Sequence, residues 1–65
     1  MIRFLEAQGF SVARARGSHH VMEKGNLHTT IPVHGNDPLR IGTLHGILRD
    51  IEMSPAAFAR LWAKR

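Results

Sequence analysis

From Phe10 to Val33 the apolar residues of this chain recur at every second position, and two glycine-bearing interruptions cut the run into three. Successive side chains on a strand point to opposite faces, so this alternation is the signature of strands with one face buried. Phe10 and Val12 are large and apolar while Ser11, Ala13 and Ala15 are small, which starts a first strand at Phe10. Arg16 and Gly17 interrupt it, and Ser18 to Lys24 alternates again. After Gly25-Asn26 the run Leu27 to Val33 sets Leu27, Thr29, Ile31 and Val33 on one side, with His28, Thr30 and Pro32 on the other. Gly25-Asn26 is a tight-turn pair, so the second and third strands form a hairpin. Pro32 has no N–H to give to a ladder, which confines it to an edge or to the end of its strand.

Helical spacing flanks this region on both sides. Ile2 and Leu5 sit three apart, Gly9 follows as a left-handed stop, and Phe10 is placed to touch Leu5 as in a Schellman ending. Beyond the strands, His34-Gly35-Asn36-Asp37-Pro38 is a turn cluster in which Asp37 and Pro38 resemble an N-cap and a first helical position. Leu44, Ile47, Leu48 and Ile51 mark one face of a second helix. Gly42 and Gly46 each weaken it by up to about 1 kcal/mol relative to Ala, so its start is expected as late as Thr43, read as a cap. Ser54-Pro55 opens a third helix, and its stripe of Phe58, Leu61 and Trp62 reads as core rather than as a partner surface. The order is α-β-β-β-α-α: an α+β fold, with helices packed on one face of a three-stranded antiparallel sheet.

Parity then assigns the faces. Phe10, Val12, Ile31 and Val33 are expected to point toward the helices, with Val21 joining them as the most apolar candidate in the second strand. His20 and Met22 would then lie on the uncovered face, where a ligand can reach them, provided no bulge falls between Gly17 and Val21. Arg14 shares the parity of Phe10 and Val12, which places it at the rim of the covered side with its stem packed and its head in water.

Composition limits what such a chain can do. At 65 residues and 43% hydrophobic, it makes one domain with a thin core, because a chain of this size buries only about 60% of its unfolded surface. The absence of cysteine excludes disulfides and thiolate-bound zinc, and nothing marks an oxidising compartment. No stretch approaches the roughly 20 apolar residues of a membrane span, so a cytoplasmic protein is expected. Nine Lys plus Arg against five Asp plus Glu give a net charge of +4, and seven of the nine are Arg. Solubility accounts for part of such an excess, but guanidinium groups fork onto phosphate and so favour a nucleic-acid partner.

Five histidines, His19, His20, His28, His34 and His45, stand out in so short a chain. Adjacent His19 and His20 project to opposite faces of a strand and cannot readily chelate one ion, and no acidic residue stands at ligand spacing beside them, so no metal site is expected. Imidazole titrates near neutrality and can pass protons, which makes His20, beside the Gly17-Ser18 interruption, the candidate general base or acid.

Gly17-Ser18-His19-His20-Val21, then Ile31-Pro32-Val33-His34-Gly35-Asn36, then Ile41-Gly42-Thr43-Leu44 leading into Ile47-Leu48 together resemble the HicA toxin family, whose members read GSHH, VPVHGN and GTL-x-x-IL. The resemblance spans residues 2 to 53 in the family's order and spacing, leaving 54 to 65 as an added C-terminal helix. It implies a double-stranded-RNA-binding-domain-like fold and a metal-independent ribonuclease acting on mRNA, neutralised by direct binding of a HicB-type antitoxin. In that family the second His of the GSHH motif is catalytic, which here is His20, with Gly17 and Ser18 as the matching turn residues. Two departures stand out: the first helix is shorter than usual, and Leu27 and His28 replace basic residues often found before the third strand.

A mechanism built from these parts needs no cofactor, because RNA carries its own nucleophile in the 2′-hydroxyl. His20 would remove that proton, and His34, then His28 and Arg16, are candidates to assist the leaving oxygen or the charged phosphorane. Arg14, Arg16, Lys24 and Arg40, with Gly17 and Ser18 at the turn, would hold the RNA backbone without reading sequence. The alternative reading is a non-catalytic RNA-binding module, or a toxin that has lost its activity, using the same sheet and bases.

Overall fold

The computed structural model describes residues 1–33 and 39–65, and its elements come in the expected order: α1 (Ile2–Ala7), β1 (Ser11–Arg16), β2 (His19–Lys24), β3 (Leu27–Pro32), α2 (Ile41–Asp50) and α3 (Pro55–Ala63). The strands form one antiparallel sheet in the order β1-β2-β3. With the helices on one face, this is the double-stranded-RNA-binding-domain-like α+β arrangement.

Six residues make an unstable helix in isolation, so α1 depends on its ending and its burial. Gly9 takes φ +96°, its N–H donates to the Glu6 carbonyl at 3.0 Å and the Phe10 N–H donates to the Leu5 carbonyl at 2.9 Å. Those two bonds are the Schellman motif, and the apolar contact that accompanies it joins Leu5 and Phe10, both buried. At the far end, Ser54 accepts the Ala57 N–H at 3.1 Å with Pro55 next in line, so α3 starts where the Ser-Pro pair predicts.

The second helix departs from its sequence signals. Asp37 and Pro38 lie outside the described residues, α2 begins at Ile41, and extended Arg40 precedes it without a side-chain cap. Thr43 therefore sits inside the first turn and caps nothing. What holds α2 is packing: Ile47, Leu48 and Ile51 are buried against Phe4, Leu5, Phe10, Met22 and Ile31. Burying each such side chain contributes about 1.5–3 kcal/mol. Among the described residues Thr29 is the buried polar exception, and its hydroxyl donates to Asp50 at 2.9 Å, tying β3 to the end of α2. Phe58 and Trp62 of α3 close over Phe4, with ring centroids 5.2 and 5.4 Å away, so the aromatic stripe packs against the core as expected.

Two expectations about faces are overturned. Met22 is completely buried and Val21 only half-buried, so the inward residues of β2 are Met22 and, by parity, His20. The cause is register: Lys24 pairs with Leu27 across the two-residue turn, which sets Met22 opposite Thr29 and His20 opposite Ile31, both on the helix side. The second correction concerns Arg14. Val12 pairs with Met22 but Arg14 pairs with Val21, so Ala13 is an extra residue bulging out of β1. Beyond the bulge parity inverts, and Arg14 and Arg16 emerge on the open face rather than at the covered rim.

Candidate active site

The turn that aims both histidines is Gly17-Ser18, a two-residue link between paired Arg16 and His19. Gly17 has φ +58°, a left-handed conformation that any side chain would strain. The Ser18 carbonyl accepts the Val33 N–H at 2.6 Å, carrying the β2–β3 ladder one step past the His19–Pro32 pair. The start of β2 is thereby anchored on both sides, which fixes the face from which each of the next two side chains emerges.

His20 stands on the helix side at the margin of the core. Its neighbour on β3, Ile31, is buried, whereas its neighbour on β1, Ala15, is exposed and offers only a methyl group. The residue is half-buried, and Nδ1 is fully covered with no hydrogen-bond partner among the described residues. With Nδ1 covered, a ligand can meet this half-buried ring only at its remaining atoms. The expectation of an imidazole on the uncovered face is therefore incorrect, while the ring is rim-placed rather than sealed beneath the helices.

His19 occupies the opposite face. There it lines a shallow open depression with Arg14, Arg16, Val21 and Thr30. Sequence reasoning considers His19 only as a metal ligand and misses this grouping. The signal is present: once β3 parity and the Gly25-Asn26 turn fix Met22 inward, His19 must face outward.

The remaining candidates scatter. Lys24 sits at the other end of β2 from His20, and its Nζ donates to the Gln8 carbonyl at 2.7 Å, clamping the end of α1. Its stem also lies 3.1 Å from where a Cβ at Gly9 would be, so Lys24 is engaged in the fold. Arg40 is exposed just before α2. His28 is exposed on the open face opposite Glu23, away from His20. His45 is exposed on α2, and His34 and Gly35 lie outside the described residues. Among the described residues, no three His, Asp or Glu side chains converge to hold a metal ion.

Residues 1–53 match the family model described as "HicA toxin of bacterial toxin-antitoxin", which is well over half of the chain. The chain belongs to the HicA toxin family. Neither the curated proteins nor the solved structures supply a match. Membership places this HicA-family chain among the toxins of bacterial toxin–antitoxin pairs. The matched region contains the Gly17-Ser18 turn, both histidines and α2, and ends before α3, so the Phe58 and Trp62 packing on Phe4 lies partly outside it. Among the described residues, no helix is long and apolar enough to cross a membrane.

Proposed function

We propose that this HicA-family chain is a cytoplasmic endoribonuclease that cuts mRNA without a metal, with His20 as the general base, and that a HicB-like antitoxin silences it by direct binding. The observation that carries this reading is the placement of His20: one nitrogen buried, the residue half-buried, at a margin where Ala15 leaves space. Cover over Nδ1 restricts the ring, and a restricted ring suits proton transfer at a defined atom.

In this mechanism Nε2 takes the proton of the ribose 2′-hydroxyl, and O2′ attacks the adjacent phosphorus. The bond to the 5′-oxygen breaks, leaving a 2′,3′-cyclic phosphate on one fragment and, once protonated, a 5′-hydroxyl on the other. His28 and Arg16 stand on the face opposite His20, so neither protonates that oxygen. His34 is left as the second candidate acid, supported by its place in the motif alone. Contacts to phosphate and sugar carry no sequence information, so cleavage with little sequence preference is expected.

The test combines growth and chemistry. Expression of the wild type should arrest growth and deplete transcripts, and the purified protein should cut single-stranded RNA, leaving DNA intact, at the same rate with and without chelator. His20→Ala should lose cleavage. Harmless expression with RNA retained but uncut would establish the alternative, a binding module, and overturn the nuclease reading.

A further inference from the structure

The open face of the sheet has no task in the mechanism above. Among the described residues, Arg14, Arg16, His19, Val21 and Thr30 line a depression on this face. Arg16 and His19 are direct cross-strand partners, Arg14 pairs with Val21, and Val21 pairs with Thr30. Such neighbours lie roughly 5 Å apart across strands and about 7 Å along them, so the donors converge on one small area. Two guanidinium groups, one imidazole and one hydroxyl flank a single apolar side chain. No carboxylate lines the depression among the described residues. Among the described strand residues the acid of this face is Glu23, two positions beyond Val21 and beside Ser11 and His28. The face is thus polarised, with positive charge gathered at the Gly17 end. A bulge at Ala13 is what brings both arginines there.

We infer that this depression is a phosphodiester-binding subsite, which holds the backbone of a single nucleic-acid strand on the face opposite the cutting histidine. Arginine forks onto phosphate oxygens, and the apolar floor formed by Val21 suits the sugar. A strand seated there reaches His20 only by passing around the β1 edge or over the Gly17-Ser18 turn, because α2 packs on β3. Ala15, exposed on the helix side of β1, marks the way. Holding and cutting are therefore done on two faces, with the substrate bent round the edge strand. This subsite rests on the reading of the protein as one that engages RNA.

The test measures binding apart from cleavage. In a His20→Ala background, affinity for a single-stranded RNA homopolymer and for DNA of equal length is measured by fluorescence anisotropy across a salt series. Both strands are expected to bind, because phosphates are the recognised groups. Replacing Arg14 and Arg16 by Gln should weaken both and make the log–log salt dependence shallower by about 0.7 for each phosphate no longer neutralised. Arg14→Lys with Arg16→Lys should restore most of the salt slope. Both arginines are exposed, so these variants keep the fold. Unchanged affinity and slope in the Gln variant would overturn the subsite, as would a Gln variant that binds RNA normally but no longer forms the complex with the antitoxin, which would make this face a protein interface. If the wild type fails to cut RNA while the Arg-dependent binding persists, the nuclease reading falls and the subsite stands.

Discussion

The two faces of β2 carry the same residue type one position apart and treat it oppositely. On the helix side, His20 shares its row with fully buried Met22, and Nδ1 is shut away from water. On the open side, His19 stands exposed beside Arg14 and Arg16. Burial restricts the first ring and covers one of its nitrogens, which suits chemistry at a fixed point. Exposure gives the second set of groups charge without rigidity, and such charges attract a polyanion but are screened by salt. A pair of histidines read as one motif thus stands in two different settings, divided by the period of the strand.

Substitutions that act on one face alone sharpen this contrast. The largest effect is expected at His20: His20→Ala should lower the cleavage rate by about 10²–10⁴-fold, the range of a lost general base, measured in single-turnover assays on one RNA. Next is stability. Met22→Ala should cost about 2–5 kcal/mol in chemical unfolding, whereas Val21→Ala on the open face should cost well under half of that. Equal costs would mean that the two faces are misassigned. Ala15→Trp, which sets a bulky ring beside His20 on the route taken by the strand, should slow cleavage by about tenfold, equivalent to about 1.4 kcal/mol of barrier, measured in the same single-turnover assay. The smallest contrast lies on β3. Thr29→Val removes the bond to Asp50 and should destabilise by about 1 kcal/mol, whereas Thr30→Val on the open face should be neutral within about 0.5 kcal/mol in the same unfolding assay.

Much of the fold was legible because local chemistry and global packing agree. Gly9 stops α1 in the motif that its neighbours predict, Ser54-Pro55 starts α3, Gly25-Asn26 makes the hairpin, and Pro32 sits at the end of an edge strand. The faces of β2 were legible too, but only by transferring the parity of β3 through the turn. Choosing the most apolar residue picked Val21, whereas register and the length of a flexible thioether put Met22 in the core. The bulge at Ala13 was not legible, since alanine carries no signature of a bulge and the strand on either side alternates cleanly. The start of α2 was hidden for a similar reason: Arg40 precedes it with no capping side chain, and burial rather than capping holds the helix. Of the candidate site, the Gly17-Ser18 turn and His20 were named from the motif, while the clustering of His19 with two arginines depended on that unmarked bulge.

The division of labour between the faces is tested most directly by steady-state cleavage of one single-stranded RNA by His19→Ala and His20→Ala side by side. The expected result is that His20→Ala loses kcat at saturating RNA, whereas His19→Ala keeps kcat and shows a KM raised several-fold. A His19→Ala protein that loses kcat while His20→Ala retains it would put the chemistry on the open face and contradict the account.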